Sequence, residues 1–106
     1  MDKKYILEKL SKIDKKEFSI EEIGLFGSYV RNEATEDSDI DILVKMEFKK
    51  GMYHNFCRLH EFLESLFGRK VDLIEKGTFN YKFKNPEVKE YKEKVKEQIL
   101  GSVIYV

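Results

Sequence analysis

Apolar residues recur along this chain with two different periods, and the switches between them outline its elements. Ile6, Leu10 and Ile13 fall at i, i+4 and i+7 with Lys and Glu between them, so residues 2–14 read as a helix that Asp2 can cap. Such a stripe is suited to covering a sheet. Lys15, Lys16 and Glu17 form a charged connection, solvated by composition, with Phe18 and Ile20 able to pack at its end. Residues 23–26 are apolar and short, as in a buried first strand. After a Gly27-Ser28 turn, a brief helix is expected over residues 29–32, then a polar loop over 33–37.

A second strand begins near Asp39 and ends at Val44, and the mixed residues 45–51 read as its frayed end and a turn at Gly51. Met52, Phe56, Leu59, Leu63, Leu66 and Phe67 then mark an amphipathic helix over 52–67, stopped by Gly68. Residues 71–74 give a third short strand, with Val71 and Leu73 directed one way and Asp72 the other. Residues 77–84 are polar and aromatic without a clear period, a loop able to border a site. Asn85-Pro86 is a helix start, an N-cap followed by Pro at the first helical position. Val88, Tyr91, Val95 and Ile99 supply that helix's inward stripe, and Gly101 its stop. The apolar tail, residues 102–106, is expected to tuck against the sheet or to join a partner.

Composition narrows the picture. With 106 residues and no repeat or Pro/Gly-rich linker, the sequence is expected to form one domain, residues 1–106, around one modest core. The 20 basic and 20 acidic residues cancel to a formal net charge of +0, which argues against general electrostatic binding to nucleic acid. Cys57 is the only cysteine, so no intramolecular disulfide forms, and its place in an apolar helical stretch suggests a buried thiol. No apolar run is long enough to span a membrane and none follows Met1 as a signal sequence would, so the cytoplasm is the expected compartment. His54 and His60 lie six apart on one helix, on different faces, which makes a zinc pair improbable and leaves no triad to defend.

The chemistry concentrates between Gly27 and Val44. On a strand, Asp39 and Asp41 share one face while Ile40, Ile42 and Val44 share the other. The two acids stand roughly 6 to 7 Å apart, from a rise of about 3.3 Å per residue. Asp is disfavoured in strands. Two readings of the pair stand open: a solvated acidic face, or ligands for a hard divalent cation, since Mg²⁺ takes carboxylate oxygens together with water and substrate phosphates. Gly27 gives the backbone freedom that a ligand-approaching turn needs, and Ser28 can cap a short helix through Arg31 whose first amides face phosphate. Arg31 pairs with an acid of the following loop, or else steadies the turn and contacts phosphate.

Gly27, Ser28 and Arg31, followed by Ser38, Asp39 and Asp41, resemble the nucleotidyltransferase superfamily with the DNA polymerase beta-type core. The small size is similar to the minimal nucleotidyltransferases, the MNT-domain antitoxins often paired with HEPN-domain toxins. That resemblance implies an α/β (α+β) fold, a small mixed sheet of three or more strands flanked by about four helices. It also implies a third acid on a later strand, which Asp72 supplies. In the roles the family assigns, Asp39, Asp41 and Asp72 are catalytic and hold two Mg²⁺ ions, while Gly27, Ser28, Arg31 and Ser38 bind the nucleotide. The activity implied is transfer of AMP from ATP to a tyrosine of the HEPN toxin, which would inactivate it. The alternatives are a catalytically silent antitoxin acting by direct contact and a small-molecule nucleotidyltransferase.

Overall fold

The computed structural model describes residues 1–77 and 101–106. Among these residues the order is α1 (Lys3–Ser11), α2 (Lys15–Phe18), β1 (Ile20–Phe26), a 3₁₀ turn (Gly27–Tyr29), β2 (Ile40–Met46), α3 (Met52–Phe67), β3 (Val71–Glu75) and β4 (Ile104–Tyr105). The strands form one mixed sheet in the order β3-β2-β1-β4. β1 is antiparallel to both β2 and β4, and β2 is parallel to β3. α3 is the crossover that a parallel pair requires. This is the small mixed α/β sheet expected from the sequence. The expected loop at 77–84 beyond its first residue, and the helix beginning at Asn85, lie outside the described residues.

The first helix divides where one was expected over 2–14. Asp2 does cap α1, accepting from the Tyr5 amide at 2.9 Å. Asp14 then starts a second helix by accepting from the amides of Lys16 and Glu17, at 3.0 and 3.3 Å. Four residues are too few to show a period, so in sequence this turn reads as a charged connection; it seats Phe18, which is 4% exposed. Ser19, left-handed at φ 57°, closes α2 and leads into β1.

β1 begins three residues earlier than expected because its acids find partners. Glu21 lies 3.4 Å from Lys45 and Glu22 lies 2.9 Å from Lys76. Lys45 and Met46 likewise continue β2 as regular strand. α3 keeps its expected bounds, ending at a left-handed Gly68 with φ 64°. Cys57, expected to be buried, is only half-buried.

Ile6 and Leu10 of α1 and Leu59 and Leu63 of α3 pack on Ile23, Leu25, Ile40, Ile42 and Val44, all fully buried. Each buried aliphatic side chain contributes about 1.5–3 kcal/mol relative to exposure. Both helices thus load one face of the sheet, and the alternate positions, Asp41 among them, are directed to the other.

The tail tucks against the sheet, one of its two expected fates. β4 pairs with Gly24 and Leu25, the Val106 amide donates to Ile23 O at 3.0 Å, and Lys15 Nζ reaches Val106 O at 2.9 Å. A Cβ at position 24 would stand 2.6 Å from Val103 Cγ1 and 2.8 Å from the Ile104 carbonyl oxygen. Gly24→Ala is therefore expected to dislodge β4 while leaving the β1–β2 pair intact. Amide exchange would show it as lost protection at Val106 with Ile42 and Leu43 unchanged.

Candidate active site

Parallel pairing of β2 and β3 sets Asp41 directly beside Asp72, between the flanking partners Ile40 and Val71 and Ile42 and Leu73. Adjacent strands lie about 4.8 Å apart, so the two carboxylates rise from neighbouring points of one face. Asp39 precedes β2 by one residue and lies two before Asp41, which extends the acidic row. Asp39 and Asp41 are half-buried, whereas Asp72 is exposed.

β3 is held where this pairing needs it. The Ile40 amide donates to the Lys70 carbonyl at 3.1 Å. From the other side the Val71 amide donates to Glu64 Oε2 at 3.0 Å, and Val71 O lies 2.8 Å from His60 Nε2. Both side chains come from α3, so the helix that covers the core also bonds the outer edge of the strand bearing Asp72.

The Gly27-Ser28 turn differs from the expected capped helix. Its regular part is the three-residue 3₁₀ turn Gly27–Tyr29, with Ser28 inside it and no side-chain cap. Gly27 adopts φ +80°, and a Cβ there would fall on the Asp41 carboxylate. Glycine is thus required twice, for the left-handed backbone and for the close approach. The Ser28 backbone amide hydrogen-bonds Asp41. Ser28 therefore serves the acid through its main chain.

Arg31 Nε lies 3.0 Å from Glu33 Oε2, the loop pairing that was one of its two expected readings, and its charge also acts on Asp41. Ser38 closes the loop: its hydroxyl accepts from the Thr35 amide at 2.9 Å and its own amide donates to Thr35 O at 3.1 Å. Two residues that no spacing rule picks out also meet here. Arg69 Nη1 donates to the Tyr29 hydroxyl at 2.6 Å across 40 positions of sequence. With Asn32, Thr35 and Asp37 they line a polar depression of about 780 Å³ beside the turn.

The acids act on one another. Burial holds the Asp41 carboxyl above the ordinary aspartate value; Asp72 and, more weakly, Asp39 push it the same way, while the Ser28 amide and Arg31 pull it down. Carboxylates set side by side in this way have the donor chemistry of a divalent cation site. Among the described residues, no three His, Cys, Asp or Glu side chains are gathered closely enough to hold an ion by themselves. Asp39 instead has Lys70 Nζ at 4.0 Å from its Oδ2. Mg²⁺ is seldom caged by protein alone and takes one or two carboxylates with substrate phosphates and water, a requirement that Asp41 and Asp72 on an open face satisfy.

The comparisons identify the class. A family model described as the nucleotidyltransferase domain matches residues 6–106, and the chain belongs to that family. A Methanocaldococcus jannaschii chain that carries the provisional name of a protein adenylyltransferase is 46% identical over 86 residues, 81% of this chain and 83% of that one. The protein adenylyltransferase MntA of Thermococcus cleftensis is 42% identical over 89 residues, 84% of this chain and 77% of that one. A solved structure described as a candidate minimal nucleotidyltransferase superposes with a TM-score of 0.67 at 29% identity, covering 98% of this chain and 95% of that chain. The protein is an enzyme of the nucleotidyltransferase class with the minimal nucleotidyltransferase fold.

The shift at Asp41 has a definite sign. The folded chain holds this proton to higher pH than the unfolded chain, so the group's contribution to stability is complete below the unfolded value. It is lost as pH rises through the folded value. Ionised Asp41 is thus a net cost at neutral pH. Asp41→Asn keeps an oxygen for the Ser28 amide and offers an amide to Asp72. It is expected to raise the thermal midpoint by a few degrees at neutral pH in chelator, and the gain should shrink on acidification. Melting curves across that range check it.

Proposed function

We propose that the chain is a Mg²⁺-dependent protein adenylyltransferase, an antitoxin that transfers AMP from ATP to a tyrosine of a cognate HEPN-domain toxin and so inactivates it. The observation that carries the reading is the in-register pairing of Asp41 with Asp72 beside a glycine turn that abuts Asp41. The names of the relatives support a protein as acceptor, and the resemblance to MNT-domain antitoxins supports the HEPN toxin.

In this reaction the tyrosine oxygen bonds to the α-phosphorus of ATP as the bridging bond to the β-phosphate breaks, releasing pyrophosphate and a proton. Such transfer needs positioning and charge neutralisation more than acid–base chemistry. Asp39, Asp41 and Asp72 would hold two Mg²⁺ ions, which when bound supply neutralising charge at the attacking and leaving oxygens. Gly27 admits the triphosphate close to the main chain, and the Ser28 amide keeps the Asp41 carboxylate aimed along the row. Arg31 and Ser38 act on the nucleotide side, Arg31 through its charge and Ser38 by fixing the loop that leads into Asp39. Asp72, the exposed member on the flanking strand, is the one an incoming protein hydroxyl reaches.

Incubation with MgATP and the HEPN partner is expected to add the mass of AMP to the partner by intact mass spectrometry. Asp41→Asn should lower the transfer rate by at least about a hundred-fold while leaving the fold intact. Tight complex formation by the wild type without any mass increment would establish the contact-only antitoxin instead.

A further inference from the structure

The Arg69–Tyr29 contact lies outside the row of acids yet joins its two sides. Tyr29 is the last residue of the 3₁₀ turn, and its ring is 5% exposed within the core cluster. Its hydroxyl accepts from Arg69 at 2.6 Å, a charge-assisted bond in a part-buried place. On the turn side, the residue before Tyr29 bonds the Asp41 carboxylate through its amide. On the strand side, Arg69 stands three residues before Asp72, and the two between them are fixed through Lys70 O to β2 and through Val71 to α3. Each of the three residues leading into Asp72 is thus bonded to a different element: Arg69 to the turn, Lys70 to β2 and Val71 to α3.

We propose that the Arg69–Tyr29 hydrogen bond is a positioning strap that sets the Gly27–Tyr29 turn at a fixed distance from the Asp72 carboxylate. It rests on the transferase reading, in which the turn receives the triphosphate and Asp72 addresses the acceptor hydroxyl. In that reading Tyr29 and Arg69 act through the turn and the strand they join. The strap governs the alignment of two groups that bind separately, so loosening it spoils the reacting geometry more than the binding of either. A misplacement of about 1 Å costs roughly a hundred-fold in rate, and a loosened strap that still samples the correct geometry costs less, on the order of tenfold.

Tyr29→Phe tests this most cleanly because it keeps the ring that packs in the core and removes only the acceptor oxygen. It is expected to lower kcat for AMP transfer on the order of tenfold with KM for ATP within about twofold of wild type. Arg69→Met should do the same, and the double variant should be no slower than the slower single one, because both changes remove one bond. A lowered thermal midpoint with wild-type kcat, equal losses in kcat and ATP affinity, or additive losses in the double variant would overturn the strap.

Amide exchange gives a readout that needs no turnover. Tyr29→Phe should speed exchange at the Ser28 amide several-fold while the β1–β2 amides, Leu43 among them, keep their wild-type rates. Unchanged exchange at Ser28 would overturn the strap whatever the activity. A wild-type chain without transfer activity, but with the expected exchange response, would sink the transferase reading and leave the strap standing.

Discussion

Repulsion between carboxylates held side by side is the constraint around which this sheet is arranged. Two unit charges at 4 Å repel by about 1 kcal/mol in water and about 4 kcal/mol at an effective dielectric of 20, so an unsupported chain would separate them. Here separation is prevented by the backbone. Asp41 and Asp72 are neighbours because Ile40 and Ile42 and their partners Val71 and Leu73 align the parallel strands. Residues from the core helix then bond Val71 on its outer side. Burial first, and then the charge of Asp72, raise the proton affinity of Asp41, which the Ser28 amide only partly offsets. Sites that keep costly groups close together in this way are places where stability has been given up for function.

The fold was legible to the extent that apolar period carries it. α3 and its glycine stop, the alternation in β2 and the orientation of Asp72 follow from spacing alone, and the structure has them where the sequence puts them. What spacing could not give was contact between distant residues. Glu21 and Glu22 look wrong for a strand until Lys45 and Lys76 are beside them, 24 and 54 positions away in sequence. α2 is too short for a period and depends on the single side chain of Asp14. Cys57 sits in an apolar helical stretch but off the face that meets the sheet, so its neighbours misled about its burial.

The candidate site was legible as residue types and only partly as roles. Gly27 reads as a point of backbone freedom; the structure adds that its missing side chain makes room for Asp41. Ser28 reads as a side-chain cap, whereas the group that bonds the acid is its amide, which every residue but proline has and no motif can report. Ser38 reads from the motif as a nucleotide contact, and the structure adds that its bonds to Thr35 shape the loop entering the acidic row. Tyr29 and Arg69 carried no signal, because a buried tyrosine hydroxyl and a guanidinium 40 residues apart share no period.

The division of the sheet into two faces explains how so small a core can support this chemistry. A strand slipped by one residue would carry Asp41 into the cluster of Ile6, Leu10, Leu59 and Leu63 and turn Ile42 outward. The cost of burying an unpaired carboxylate there far exceeds the cost of holding it beside Asp72 in a half-exposed row. Core packing therefore fixes the register, and the register fixes the acids. An acid–base enzyme would need an enclosed pocket on the second face to tune its groups. Nucleotidyl transfer does not: the substrate brings its own charge and its own leaving group, and the protein need only hold oxygens in a row next to a turn that a phosphate can approach. Among the described residues, α1 and α3 pack on one face of the sheet and the acids stand on the other, which meets that need.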